Sequence, residues 1–143
     1  MINRSLILDY VLDLVVRTAL VFSLFLLFTG HNAPGGGFVA GLVAGITIVL
    51  RFIALGRPGI EAALPGSPNL IMGLGLSLAI ATGVGGWVWG ESFLTSVKVD
   101  LELPLLGEIH ATSALPFDIG VFLVVVGLAA ALIQALGSDE EPE

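Results

Sequence analysis

From Asn69 to Gly90 the chain runs without one charged residue. As a helix that run rises about 33 Å, enough to cross about 30 Å of hydrocarbon. A helix also pairs its own backbone N–H and C=O groups, which a bilayer demands. Three further apolar runs of spanning length can be drawn, at about 6–29, 37–55 and 116–136. The composition agrees: 56% of the 143 residues are hydrophobic and 12% charged, where soluble domains carry about 25% charged residues. The expected fold is therefore an all-α membrane protein with four transmembrane helices. It is expected to form a single domain over residues 1–143, ending in an acidic tail at 137–143.

The first two spans are separated by Gly30-His31-Asn32-Ala33-Pro34-Gly35-Gly36-Gly37-Phe38. Pro34 lacks a donor N–H, and glycine is costly to order in a helix. Asn32 and Pro34 favour turn starts, and Gly35 and Gly36 permit positive φ. The segment reads as a tight reversal between two membrane helices. Beyond it Gly37, Gly41 and Gly45 recur every fourth residue, a stripe on which another helix backbone can come close. The third span carries a similar stripe, Gly73, Ser77, Ala81 and Gly85, with Gly83, Gly86 and Gly90 beside it. Both stripes are expected to seat helices of partner chains. Trp87 and Trp89 near the end of the third span suit a membrane–water interface.

The first span is less uniform. Asp9, Asp13 and Arg17 are four apart and share a helix face, with Asp13 and Arg17 in the favourable acid-before-base order. Two readings stand. Arg17 snorkels to the headgroups, or it is buried and ion-paired with an acid on a neighbouring chain. Arg4, Arg51 and Arg57 put the N-terminus, the second loop and the C-terminus on the cytoplasmic side by the positive-inside rule.

Residues 91–115 are too many for a structureless loop in so short a chain. Val97, Val99, Leu101 and Leu103 alternate with Lys98, Asp100 and Glu102, a period-2 strand pattern. Pro104 to Gly107 offers a turn, and Glu108 to Thr112 a return strand. The expectation is a short extracytoplasmic β-hairpin between the third and fourth helices. It would lean on the protein or a partner, because lone hairpins are marginal. The fourth span opens Leu115-Pro116-Phe117-Asp118. Asp118 reads either as a helix-start acid that complements the dipole, or as an intramembrane carboxylate in an ion or proton route.

No enzyme site assembles from these residues. There is no cysteine, so disulfides and thiolate metal sites are excluded. His31 and His110 fall in loops on one side without a third metal ligand. Glu108 and His110 share a strand face, and His31 either hydrogen-bonds within its turn or relays protons. The three glycines lack the Lys-Ser/Thr of a phosphate-binding loop. The net charge of −7 excludes a basic nucleic-acid surface. Four of the five bases precede residue 60, and ten of the twelve acids follow it. An ion path would have few groups to draw on, chiefly Asp118, Arg17, Glu91 and His110. The chain therefore reads as one member of an assembly, packed among other membrane helices.

Five ordered blocks resemble the MnhB/MrpB family: Gly30 to Phe38 with Gly41-Leu42, Gly75 to Gly83, Phe93 to Ser96, Leu103 to Glu108, and Phe117 to Val121. They cover essentially the whole chain. The resemblance implies the B subunit of a multisubunit Mrp-type Na⁺/H⁺ antiporter of bacterial or archaeal plasma membranes. In that family proton influx drives sodium out, and two larger antiporter-like subunits hold most proposed proton-channel residues. The family pattern is matched at Gly30, His31, Pro34, Gly35, Gly36, Gly37, Phe38, Pro104, Gly107, Glu108, Phe117, Asp118 and Gly120. The expected partners are the other subunits of the complex and the lipid membrane, with no cofactor beyond the transported Na⁺ and H⁺. The alternative is a membrane-arm component of a complex I-related redox complex such as a membrane-bound hydrogenase. The candidate ion or proton path is Asp118, His31, His110 and Glu108.

Overall fold

The computed structural model describes residues 6–30, 35–56, 58–59, 64, 66–88, 98–103, 107–112 and 114–137. The expectations placed on His31, Pro34, Trp89, Glu91, the 104–106 turn and the acidic tail from 138 lie outside the described residues. Four helices are long and apolar enough to cross a membrane. They are α1 (Leu6–Thr29), α2 (Gly37–Leu55), α3 (Pro68–Val88) and α4 (Ala114–Leu136).

Helix ends follow local chemistry. Pro68 opens α3, and its missing N–H is harmless in a first turn. At the end of α2 Gly56 takes φ 68° and donates its N–H to the Phe52 carbonyl at 2.7 Å. That left-handed geometry is open to glycine without a Cβ penalty and closes an otherwise unpaired carbonyl.

Most hydroxyls of the described helices are satisfied within their own helix. Thr18, Thr29, Ser77 and Thr82 each donate to the carbonyl four residues back, at 2.7–2.8 Å. Among the described residues no buried side-chain polar atom lacks a partner. That accounting is strict in hydrocarbon, where an unpaired polar group costs several kcal/mol.

The helices pack in the order α1, α2, α4, α3. The central pair is α2 with α4, and the outer helices flank it, α1 on α2 and α3 on α4. A small apolar core forms in the α2–α4 seam, where Ile48 and Ala130 meet Phe52, Val126 and Ile133. At most a third of any spanning window is buried within the chain. Phe22, Phe25 and Phe28 of α1, Ile46 and Ile53 of α2, and Leu74 and Ile80 of α3 point outward. Such a surface is stable against lipid or other membrane helices, not against water.

The fold class rests on these four helices. Between α3 and α4 the described backbone includes β1 (Lys98–Leu103) and β2 (Gly107–Thr112), antiparallel, with Lys98 opposite Thr112 and Leu103 opposite Gly107.

Candidate functional site

Three backbones converge on the start of α4. The α1–α2 reversal closes by a hydrogen bond from the Gly36 N–H to the Leu26 carbonyl at 3.0 Å. That carbonyl belongs to the last turn of α1, where carbonyls lack intrahelical partners. Gly30 and Gly35 meet there so closely that a Cβ on Gly30 would overlap the Gly36 backbone, and one on Gly35 would lie 2.6 Å from the Leu26 oxygen. Gly36 itself has φ 96°, a conformation that residues with a Cβ rarely adopt.

This compact reversal sets the N-terminus of α2 against Asp118. A Cβ on Gly36 would stand 3.6–3.9 Å from the Asp118 carboxyl atoms, and one on Gly37 would overlap the Asp118 carbonyl. The N-cap of α2 is Gly36, which has no side chain to accept the first N–H groups of the helix. The half-buried Asp118 carboxylate sits beside that positive helix end, where a negative charge is favourable. Asp118 is the fifth residue of α4, so it lies one turn inside its own helix. Its charge is placed on the dipole of α2 rather than on that of α4.

Two residues on, Gly120 faces α3. A Cβ there would lie 2.7 Å from the Gly75 carbonyl, and a Cβ on Gly75 would lie 2.6 Å from the Gly120 carbonyl. The glycine pair lets the two backbones touch, as small residues do at membrane helix crossings. Thus Gly36, Gly37, Gly75, Asp118 and Gly120, from three separate sequence blocks, form one contact.

The two small-residue stripes differ in what they meet. Gly37, Gly41 and Gly45 face Asp118, Val125 and Ala129 of α4. This stripe seats a helix of the same chain, where a partner's helix was expected. The reason is the short reversal and the central place of α2, which bring α4 onto its glycine face. On α3 the residues used within the chain are Gly75 and Ala79, and Met72 and Pro68 against Gly127. Gly73, Ser77 and Ala81 are exposed, Gly73 has no atom within 4 Å of its missing Cβ, and Gly85 is half-buried. That face is left open by the chain itself.

A charged cluster lies at the opposite end of the bundle. The Arg17 Nε donates to an Asp13 carboxylate oxygen at 2.6 Å, within α1. The other Asp13 oxygen is 3.9 Å from a guanidinium nitrogen of Arg51 on α2. Arg17 is 75% exposed and Arg51 25% exposed, so Arg17 is paired inside the chain while its head stays open to the surroundings. Sequence reasoning uses Arg51 only to orient the chain and misses its place beside Asp13. Antiparallel helices of known ends would reveal it: Asp13 is seven residues from the start of α1 and Arg51 four from the end of α2, a difference of about 4–5 Å in depth. Ser23 is missed too. It is buried and donates to the Ala40 carbonyl across the α1–α2 interface at 2.7 Å.

Glu108 and His110 lie on β2, opposite Glu102 and Asp100 of β1. No group of three or more metal-ligating side chains occurs among the described residues.

Four apolar helices around a glycine-lined seam define a multi-pass membrane protein. Residues 7–131 match the family described as a domain related to the MnhB subunit of Na⁺/H⁺ antiporter. The chain belongs to the MnhB family. It is 44% identical over 138 residues to the B subunit of a Na⁺/H⁺ antiporter of Bacillus subtilis strain 168, covering 96% of each chain. It is 41% identical over 112 residues to a probable A/B subunit of a K⁺/H⁺ antiporter of Rhizobium meliloti strain 1021, covering 78% of this chain and 11% of that one. Among solved structures it resembles a chain of the Mrp complex from Dietzia sp. DQ12-45-1b, with a TM-score of 0.79 and 33% identity, over 96% of this chain and 14% of that one.

Proposed function

We propose that this chain is the B subunit of a multisubunit monovalent cation/proton antiporter of a bacterial or archaeal plasma membrane, with Na⁺ as the exchanged cation. The observation that carries the reading is the near end-to-end identity with the B subunit of a Na⁺/H⁺ antiporter. The mostly unburied apolar faces of the four helices support a place among partner subunits.

In this proposal the chain catalyses no covalent chemistry and needs no cofactor. Its N- and C-termini face the cytoplasm, and the 98–112 segment forms an external hairpin that leans on a partner. The exposed Gly73, Ser77 and Ala81 face of α3 admits a partner helix. Asp118 holds the reversal and the start of α4 together. It also stands as the intramembrane carboxylate closest to an ion route, with His31, His110 and Glu108 on the same external side. Transport through the large subunits then depends on this chain for assembly.

The test is purification of the tagged chain from its native membrane in mild detergent, with mass-spectrometric identification of what accompanies it. Several small antiporter subunits and large antiporter-like subunits are expected. Hydrogenase or iron–sulfur subunits would replace this reading with the redox-complex alternative. A solitary monomer that moves cations in liposomes would overturn both.

A further inference from the structure

We propose that α3 begins at mid-depth in the membrane, and that water reaches its start from the side of the α2 C-terminus through a recess lined by Ser67, Asn69 and Gln134.

The depth of α3 follows from what the glycines of α4 meet. A Cβ on Gly127 would lie 3.0 Å from both the Pro68 carbonyl oxygen and the Met72 amide nitrogen, so the first turn of α3 is level with Gly127. On α4, Gly127 lies between Val125, which meets Gly41 of α2, and Ala129, which meets Gly45. That turn is therefore level with residues 41–45 of α2, and about 15 Å of helix rise separates it from Leu55, where α2 ends. Gly120 meets Gly75 and Ala79, so equal steps are taken along α3 and α4 and the two axes run side by side. Helix α1 is tied to α2 along its length, by Leu26 to Gly36, Ser23 to Ala40 and Asp13 to Arg51. Three helices thus share one slab of about 30 Å of hydrocarbon, and α3 starts near its middle. It is also the least apolar of the four.

Polar groups accompany that start. Leu64 packs on Ile48 and Ala130 of the seam, so the chain is already at membrane depth before α3 begins. Leu64, Gly66 and Ser67 lie outside any helix, and Gly66, Ser67 and Asn69 are exposed. The Ser67 hydroxyl accepts the Leu70 N–H at 3.4 Å. Beyond the start of α3, the stripe of α4 that carries Gly120 and Gly127 continues at the same spacing to Gln134, which is half-buried. Neither the Asn69 nor the Gln134 carboxamide forms a hydrogen bond among the described residues.

Hydrocarbon does not accept such groups. Non-helical backbone occurs at this depth where protein buries it or where it lines a water-filled space, and this chain leaves it open. Residues 56–67 also carry Arg57 and Glu61, charges that an apolar partner helix would strand and that water solvates. The recess therefore holds water. It removes about half of the hydrocarbon that a proton or a monovalent cation crosses from that side. Its use in ion exchange rests on the function proposed above, whereas the water does not.

The chain has no cysteine, so single cysteines report alone. Ser67→Cys, Gln134→Cys and Ile46→Cys are made in the assembled complex in sealed membrane vesicles, with a cysteine appended after Glu143 as the solvent reference. Ile46 is 65% exposed on the outward face of α2, at the same depth as the start of α3. A small, membrane-impermeant methanethiosulfonate should modify Ser67→Cys and Gln134→Cys at least about ten-fold faster than Ile46→Cys, because apolar surroundings suppress the reacting thiolate. It should do so from the side on which the appended cysteine reacts. A bulky polyethylene-glycol maleimide should modify the appended cysteine and leave Ser67→Cys untouched. Complex yield on native gels checks assembly, and Asn69→Cys reads the same depth if Ser67→Cys does not assemble. A rate at Ser67→Cys no higher than at Ile46→Cys overturns the proposal, whether lipid or a partner helix covers the start of α3. So does modification of Ser67→Cys by the bulky reagent, which would put it in a surface loop. A reactive Gln134→Cys beside an inert Ser67→Cys also overturns it, since the water would then stop short of mid-depth. These rates do not depend on which assembly holds the chain or which ion it moves.

Discussion

Gly41 offers the most direct test of how this fold is held. A Cβ at Gly41 would lie 2.7 Å from the Val125 Cβ, 3.0 Å from its Cγ1 and 3.2 Å from the Phe122 carbonyl. Ordinary contact begins at 3.4–4 Å, so α2 and α4 must part by about 0.7–1.3 Å to admit one methyl group. A gap of about 0.5–1 Å forfeits a quarter to a half of the dispersion energy of each contact along the seam. Over-packing of this kind costs about 1–3 kcal/mol, against a helix-propensity gain of about 1 kcal/mol when glycine is replaced. Gly41→Ala should therefore be neutral to about 2 kcal/mol destabilising. Gly41→Leu drives three more carbon atoms into Val125 and should cost at least about 2 kcal/mol net. Gly73→Leu gains the same propensity and meets nothing within 4 Å in this chain, so the isolated chain should be unchanged or slightly stabilised. A fluorescent fusion of the full chain, heated in detergent and scored by size-exclusion chromatography, separates the two. A shift of about 2–4 °C accompanies each kcal/mol in a chain of this size. An unmoved midpoint for Gly41→Leu, or an equal fall for Gly73→Leu, would refute the assignment of the glycine faces. Complex yield on native gels should show the reverse sensitivity at Gly73 if a partner helix covers that face.

Gly36→Ala places a Cβ at φ 96° beside the Asp118 carboxylate. It should cost about 1–3 kcal/mol in the same thermal assay; a wild-type midpoint would mean the reversal can relax. Ser23→Ala removes the 2.7 Å bond to the Ala40 carbonyl while that carbonyl stays in its own helix. A loss of about 0.6 kcal/mol is expected, the average for interhelical hydrogen bonds in membranes, and a loss above about 2 kcal/mol would point to a wider network. Asp118→Asn keeps the shape and removes the charge next to the α2 N-terminus. Complex yield should fall little, and Na⁺-dependent proton flux in vesicles decides the rest: unchanged flux reduces Asp118 to a helix-end contact.

The helices were legible because hydrocarbon imposes a simple rule on length and charge, and the Gly30–Phe38 break because proline and glycine interrupt a helix for local reasons. Which face of each helix meets which neighbour was not. On α3 small residues occur at Gly73, Ser77 and Ala81 on one face and at Gly75 and Ala79 on the other. Spacing alone favoured the Gly73 stripe, yet α4 meets Gly75 and Ala79. Lipid is as apolar as the helix interior, so no polar face marks the outside as it would in water.

The candidate site shows the same division. Each member was visible by residue type: Asp118 as a charge in an apolar run, Gly36 as a position for positive φ, Asp13 and Arg17 as neighbours on one turn. Their meetings were not. Gly36 touches Asp118, and Asp13 approaches Arg51, only because α2 lies between α1 and α4. The order of residues determined that this polypeptide spans a membrane four times and where it must turn, since those outcomes follow from local backbone chemistry and from the cost of burying charge. Tertiary packing alone decided which glycines the chain keeps for itself, which it leaves open, and that Asp118 answers the dipole of another helix. Those pairings depend on contacts between residues up to 82 positions apart, Gly36 to Asp118, which no local pattern encodes.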